Sequence, residues 1–277
     1  MSIPFMVSLL LLIRYTASIH FPSHNYNNSS RNYTSPFLPS TPRIPLRILP
    51  IGDSLTLGYL SPDLTGYRKA FYDLASVRGD IDMIGSVSSG SDSMTDPFHE
   101  GHNAATIDQI SGFADVALAA RPNVVLLMAG TNNMFDDEAA GAAAGRLAEL
   151  VEKILARCPD AALLLASIIP SAGQNRQRRN DAFNAQVTRL VSKRRADGKH
   201  ILLVRMDETV SRDQLLDGIH PIAEGYRNMA YHWLQALDLV EQSGWLMTPA
   251  AVDGDLGVAV KVDAGMIGSV TSAAKTT

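Results

Sequence analysis

Two short segments of this chain carry the residue types of a nucleophilic hydrolase site. Ser54 lies in the segment Gly52-Asp53-Ser54-Leu55, and Asp217 and His220 follow about 160 residues later. A serine hydroxyl becomes a good nucleophile when a histidine takes its proton and a carboxylate orients that histidine. Because Asp217 and His220 are three residues apart, one turn can present both side chains on the same side. The pattern predicts a triad of Ser54, His220 and Asp217.

Five apolar runs and five helical patterns alternate along the chain and must position these residues. The runs lack strict polar alternation, as expected for strands buried on both faces, and cover residues 48–51, 81–84, 124–128, 163–169 and 201–204. Apolar residues recur at helical spacing in residues 67–77, 106–119, 139–156, 180–194 and 223–240. The alternation predicts an α/β fold: a three-layer α/β/α sandwich with a mostly parallel, flavodoxin-like five-stranded sheet.

The polar segments fall where predicted strands end. Ser54 follows the first strand, residues 99–106 follow the second, residues 130–133 follow the third, and His220 comes after the fifth. Ligands of open α/β sheets bind at the carboxyl ends of the strands. We therefore expect these segments to converge on one edge of the sheet.

Several blocks resemble the SGNH, or GDSL-type, hydrolase family. The serine block is Gly52-Asp53-Ser54-Leu55, the asparagine block is Gly130-Thr131-Asn132-Asn133, and the histidine block is Asp217-Gly218-Ile219-His220. Further similarity, at residues 49–54, 66–68, 99–102 and 106–110, is to acetylxylan esterases of the third carbohydrate-esterase family. The resemblance covers residues 47–239, most of the domain, and implies an ester hydrolase with Ser54 as nucleophile.

The same resemblance implies an oxyanion site and shows one departure from the family pattern. Its donors would be the backbone N–H of Ser54, the backbone N–H at Ala104 and the side-chain amide of Asn132. The family usually has glycine at the second of these positions, whereas this chain has Asn103-Ala104. Ala104 can donate comfortably only if its φ is negative, since alanine tolerates positive φ poorly. The substitution predicts a weakened, or even inactive, member.

Other residues have structural interpretations. Asp53 is expected to bond nearby backbone, and Arg68 to be a structural ion-pair partner. His99 and His102 suggest a metal site, but no cysteine or carboxylate cluster completes one, so no metal is expected. The triad chemistry requires no cofactor. A nucleotide-binding fold is disfavoured because no glycine-rich loop of dinucleotide spacing follows the first strand.

Composition limits the partners of the chain. It has 277 residues, 46% of them hydrophobic, a net charge of −4 and a single cysteine, Cys158, so an intrachain disulfide is impossible. One basic cluster is interpreted as lying on a predicted helix and forming a solvated helix face; it comprises Arg176 to Arg179 with Arg189, Lys193, Arg194 and Arg195. We expect neither a nucleic-acid partner nor a stable membrane association, since either would need a clustered basic face or a long apolar span.

The first part of the chain has the pattern of a targeting segment. An apolar run at residues 3–13 precedes small residues at 16–18, although no positive charge precedes it. Three glycosylation sequons follow, at Asn27, Asn28 and Asn32. The pattern predicts a signal peptide over residues 1–18, a Ser/Asn/Pro-rich linker over 19–45, a hydrolase domain over 46–245 and a loose tail over 246–277.

The resemblance and the leader together predict a secreted serine esterase. Its expected substrates are acetylated plant polysaccharide, such as xylan, or small esters. Two alternatives stay open: a lipolytic or short-chain ester hydrolase, and a catalytically silent carbohydrate-binding homologue, which the Asn103-Ala104 step suggests. A lipase would be expected to carry an apolar insertion or lid, and none separates the blocks. Oligomeric state is not predicted.

Overall fold

Strands and helices alternate through the computed structural model of the chain, which describes residues 43–252. The strands are β1 (Leu46–Gly52), β2 (Ile81–Met83), β3 (Val87–Ser88), β4 (Phe98–Gly101), β5 (Val124–Met128), β6 (Ala162–Ala166) and β7 (Ile201–Val204). The helices are α1 (Ser54–Leu57), α2 (Arg68–Ser76), α3 (Ile107–Ala117), α4 (Asp137–Arg157), α5 (Gln174–Ala196) and α6 (Ala223–Gln242). The five predicted strands and five predicted helices are therefore present.

The strands form one mostly parallel sheet. Its order is β3-β4-β1-β5-β6-β7, and β2 also pairs with β1. β2 pairs with the first half of β1, from Leu46 to Ile48, whereas β4 pairs with its end, at Ile51 and Gly52. The two short strands therefore share one side of β1, and the body of the sheet is the predicted five-stranded, parallel arrangement. β3 pairs antiparallel with β4 at the edge.

Helices cover both faces of this sheet. On one face, α3, α4 and α5 pack over alternate strand residues such as Leu49, Val125 and Leu163. On the other face, α2 and α6 pack over the intervening residues, such as Ile48 and Leu126. Every residue of β5 and β6 is buried, which explains why these runs are continuously apolar. The three-layer sandwich predicted from the sequence is confirmed.

Strand β4 is an element that the sequence did not reveal. Residues 99–101, expected in a loop, belong to β4, whose end pairs with β1 through Glu100 and Gly101. His99, Glu100 and Gly101 are all buried. Because His99 and Glu100 are polar, a search for apolar runs does not detect this strand. The consequence is that the following loop, residues 102–106, is attached directly beside the end of β1.

The predicted leader (residues 1–18), residues 19–42 of the predicted linker (19–45) and most of the predicted tail lie outside the described residues. The first part of the tail is described, and it is bound to the domain. Arg47 donates to the carbonyl of Ala250 at 3.0 Å, Asn123 donates to that of Met247 at 2.7 Å, and Leu246 is buried. Residues 246–252 therefore differ from a loose tail. Within residues 43–252, no helix is long and apolar enough to cross a membrane.

Candidate active site

Ser54 lies at the sharp junction between β1 and α1. Asp53 is the N-cap of this single-turn helix, and its carboxylate accepts the Leu55 N–H at 3.0 Å. Gly52 is needed here for space, because an added Cβ would lie 2.3 Å from the carbonyl oxygen of Met128. The reason is close approach of β5 and not an unusual φ. Ser54 is thereby held at the carboxyl end of the central strand, only 4% exposed.

Asp217 and His220 lie on a turn between β7 and α6. One oxygen of the Asp217 carboxylate accepts the backbone N–H groups of Ile219 and His220, at 3.0 and 2.8 Å. The other oxygen is 2.8 Å from Nδ1 of the His220 ring. Gly218 takes φ +81°, which lets the turn close. The same carboxylate therefore shapes the turn and orients the imidazole.

The three predicted triad residues come together. Ser54 Oγ lies 2.8 Å from His220 Nε2, and Asp217 Oδ2 lies 2.8 Å from Nδ1 of the same ring. Because the carboxylate can only accept, Nδ1 carries the proton and Nε2 is left to accept from the serine hydroxyl. This is the tautomer that a general base needs.

The environment of Asp217 keeps it ionised. Partial burial opposes ionisation, but the hydrogen bonds from the backbone and ring of His220, together with its charge, bring the Asp217 pKa below its ordinary value. An ionised carboxylate can stabilise the imidazolium that forms when His220 takes a proton.

Tyr59 is a neighbour of the triad that the sequence did not indicate. Its ring packs edge-on against His220, with centroids 4.8 Å apart. The Tyr226 hydroxyl donates to the Tyr59 carbonyl at 2.7 Å and ties this segment to α6. Tyr59 therefore limits movement of the imidazole and forms a wall of the site. No spacing signal marks it, because the contact joins segments far apart in the chain.

The predicted oxyanion donors lie on neighbouring segments. Ser54 is the first residue of α1, where backbone N–H groups have no partner within the helix. The N–H of Ala104 enters no hydrogen bond among residues 43–252. Asn132 donates from Nδ2 to the carbonyl of Ala105 at 3.0 Å, and its amide has a second hydrogen to offer.

Ala104 adopts φ +57°, the left-handed region. This is the conformation that favours glycine, and it costs alanine about 1–2 kcal/mol. We expected Ala104 to donate comfortably only at negative φ. The observed positive φ therefore means that the backbone is strained at this residue. In the described part of the chain the Ala104 N–H nevertheless has no hydrogen-bond partner, and Ala104 is exposed.

Buried polar residues support the loop that carries Ala104. The Gly101 N–H donates to His99 Nδ1 at 2.9 Å, which leaves Nε2–H to donate to Ser89 Oγ at the same distance. Burial, with the nearby charges of Arg68 and His102, holds the His99 pKa well below its usual range. His102 pairs with the buried Glu100. These histidines thus have protein partners, and no cluster of three potential metal ligands occurs in the described part of the chain.

The structure corrects the prediction made for Arg68. It was expected to form an ion pair, but no carboxylate of the described residues pairs with it. The guanidinium is fully buried and donates to main-chain oxygens, among them those of Thr56, Leu64 and Pro97 at 2.7–3.0 Å. Burial lowers its pKa to about 10. Its role is structural, since it joins the segment after Ser54 to the neighbouring loops.

Comparison with known proteins agrees with this geometry. Residues 51–227 match the GDSL-like Lipase/Acylhydrolase family, a span that includes Ser54, Asn132 and His220. The chain belongs to this family. The family's reaction class is hydrolysis of carboxylic esters, and the hydrogen-bonded Ser54, His220 and Asp217 are the groups that such a reaction requires.

This acylhydrolase is similar to three further proteins. A multidomain esterase of Ruminococcus flavefaciens is 26% identical over 238 residues, 74% of this chain but 31% of the relative's own length. The family 3 carbohydrate esterase of Clostridium thermocellum is 28% identical with a TM-score of 0.64, over 72% of this chain and 98% of that one. A family 3 carbohydrate esterase from Talaromyces cellulolyticus shares the fold, with 20% identity and a TM-score of 0.59, over 72% of this chain and 99% of that one.

Proposed function

We propose that this protein is a secreted serine esterase that removes acetyl groups from plant polysaccharide such as xylan. The observation that carries the proposal is the unbroken chain of contacts from Ser54 Oγ through His220 to Asp217, with both distances at 2.8 Å. The similarity to family 3 carbohydrate esterases supports the substrate class. The small ester substrates expected from the sequence would be hydrolysed by the same groups.

The reaction proceeds through an acyl-Ser54 intermediate. Ser54 Oγ attacks the acyl carbonyl carbon while His220 Nε2 takes the hydroxyl proton, and Asp217 stabilises the resulting imidazolium. The tetrahedral oxyanion is held by the N–H groups of Ser54 and Ala104 and by the Asn132 amide. His220 then protonates the leaving sugar oxygen. A water molecule, activated by the same histidine, attacks the acyl group and releases acetate and free Ser54.

Ala104 bears on whether this chain is active. A silent homologue is the alternative if the alanine could not present its N–H. The positive φ and free N–H of Ala104 favour an active site in which the donor is kept at a cost in strain. A lipolytic alternative finds support in exposed apolar residues beside the triad, Leu216 next to Asp217 and Tyr59 against His220.

One assay separates these functions. The full chain is incubated with acetylated xylan, p-nitrophenyl acetate and p-nitrophenyl palmitate, and acetate or p-nitrophenol is measured. We expect activity on xylan and the short ester, reduced about a thousandfold or more in Ser54→Ala. Ser243→Ala, at the far end of α6, is the control for substitution of a serine. Palmitate preference would favour the lipolytic enzyme, and no hydrolysis of any substrate would favour the silent homologue.

Secretion is proposed from the leader pattern and the sequons at Asn27, Asn28 and Asn32. Expression in a eukaryotic secretory host tests it. We expect the protein in the medium with a mass that falls on treatment with an N-glycosidase, and a triple Asn→Gln variant should show no such fall. Retention of the full-length chain inside the cells would contradict the proposal.

A further inference from the structure

The start of α5 lies against the turn that carries the catalytic acid and base. The Ala172 N–H donates to the Gly218 carbonyl at 2.9 Å, and α5 begins at Gln174. An added Cβ at Gly218 would lie 2.8 Å from the Ala172 Cβ, so the two segments are in close contact. The first turn of α5, which includes Arg176, is therefore placed at the border of the active site.

Arg176 stacks on an exposed aromatic ring beside the site. Its guanidinium carbon lies 3.9 Å from the centroid of Phe135. Phe135 ends the 3-10 turn Thr131–Phe135, which also carries the proposed oxyanion donor Asn132, and it is 49% exposed. Arg179 fixes this turn by donating to the Met134 carbonyl at 2.7 Å. The stacked pair thus joins the turn that bears Asn132 to α5, which in turn lies against the turn that bears His220.

Arg176 differs from its neighbour Arg179 in having no polar partner within the described part of the chain. Arg179 pairs with Asp137 at 2.6 Å. Among residues 43–252, by contrast, no ion pair or hydrogen bond engages the Arg176 guanidinium, and its Nε is buried without a hydrogen-bond partner. The charged groups that act on it are Arg179 and Asp217, and Asp217 is already engaged by His220. An arginine ordered by stacking but without an anion is available for one.

We propose that Arg176 and Phe135 form a subsite for a carboxylate on the substrate, a uronic acid residue carried close to the acetylated sugar. Stacking holds one face of the guanidinium on Phe135. A guanidinium carries its N–H groups in one plane, and this fork geometry matches a carboxylate in a bidentate way. The exposed remainder of the Phe135 ring offers an apolar surface to the sugar. The basic side chain, expected from the sequence to be merely solvated, is thereby assigned a specificity role.

This inference rests on the proposed polysaccharide esterase function, so the test uses two independent readouts. The first compares acetate release from acetylated xylo-oligosaccharides with and without a glucuronic acid side group. The ratio is kcat/KM for the acidic oligosaccharide divided by kcat/KM for the neutral one. We expect Arg176→Gln to lower this ratio about tenfold, because a charge-assisted hydrogen bond to the glucuronic acid is lost. Arg178→Gln, an exposed arginine of the same turn, should change this ratio less than twofold, and Arg176→Lys should restore part of it. An unchanged ratio in Arg176→Gln would overturn the subsite.

The second readout does not depend on polysaccharide deacetylation. Deacetylated xylo-oligosaccharides with and without glucuronic acid are tested as inhibitors of p-nitrophenyl acetate hydrolysis at fixed ionic strength. We expect the acidic oligosaccharide to inhibit at least about tenfold more strongly, an advantage that is lost in Arg176→Gln and reduced by added salt. Equal inhibition by the two oligosaccharides would contradict recognition of a saccharide carboxylate. So would inhibition by free acetate that is as strong as inhibition by the acidic oligosaccharide. If no acetate is released from either acetylated oligosaccharide, the proposed function fails while this readout still decides the subsite.

Discussion

The side-chain amide of Asn132 donates a 3.0 Å hydrogen bond to the main-chain oxygen of Ala105. This bond joins the turn after β5 to the loop after β4, and so links two of the three proposed oxyanion donors. One hydrogen of the amide fixes the loop, and the other is free for substrate. In the proposed mechanism Asn132 therefore serves both as an oxyanion donor and as a constraint on the loop that carries the strained Ala104.

Replacing Asn132 should affect turnover more than stability. We expect Asn132→Ala to lower kcat on p-nitrophenyl acetate by about a hundredfold to a thousandfold, since one oxyanion donor is removed. Steady-state kinetics and thermal unfolding measure the two effects, with Asn228→Ala in α6 as control. An Asn132→Ala enzyme with parental kcat would show that this amide does not contact the oxyanion.

Ala104→Gly should relieve the backbone strain. Because glycine adopts the left-handed region freely, we expect the free energy of unfolding to rise by about 1 kcal/mol, with equal or higher kcat. The control is Ala142→Gly inside α4, where glycine should instead destabilise by about 0.5–1 kcal/mol. Urea unfolding of both variants checks this. Destabilisation of similar size in the two would mean that Ala104 carries no strain.

Asp53 should make stability depend on pH. Burial raises its pKa from 3.8 to about 6, although hydrogen bonding by Leu55, the nearby Thr131 hydroxyl and the charge of His220 oppose this. The effect of Thr131 on this pKa is limited, because neither its hydroxyl nor Asp53 Oδ2 has a hydrogen-bond partner among residues 43–252. Between these two pKa values the folded protein holds a proton that the unfolded chain has lost. Stability therefore falls as pH rises through this window, by on the order of 3 kcal/mol, and the loss is complete above about pH 6.

Asp53→Asn removes this titration and keeps an oxygen to accept the Leu55 N–H. We expect the variant to gain stability relative to the parent as pH rises from 4 to 7, by up to about 3 kcal/mol. Chemical denaturation at several pH values measures the difference, in which other titrating groups cancel. Asp92→Asn, at an exposed carboxylate, should show little change. Parallel curves for the parent and Asp53→Asn would contradict a raised Asp53 pKa.

Arg68→Met should destabilise the fold strongly. The substitution leaves several buried carbonyls without donors, including those of Thr56 and Leu64, and we expect a loss of at least about 3 kcal/mol. Lys69→Met, on the same helix but at the surface, is the control and should cost less than about 1 kcal/mol. Thermal and urea unfolding measure both variants. Similar stabilities for the two would show that the Arg68 hydrogen bonds contribute little.

The sequence by itself determined the parts of this protein that local pattern encodes. Continuous apolar runs predicted β1, β5 and β6 because strands buried on both faces need no polar alternation. The three blocks around Ser54, Asn132 and His220 indicated which residues meet, since parallel strands bring their carboxyl ends to one edge. The spacing of Asp217 and His220 was sufficient to predict that one turn presents both.

Only the tertiary structure decided the features that depend on contacts between distant segments. The positive φ of Ala104 is imposed by a loop attached between β4 and Asn132, and β4 itself is concealed by buried polar residues. The stacking of Arg176 on Phe135 depends on how α5 packs beside the turn after β5. Desolvation of such groups and the close approach of separate backbones are properties of packing, which no local periodicity records.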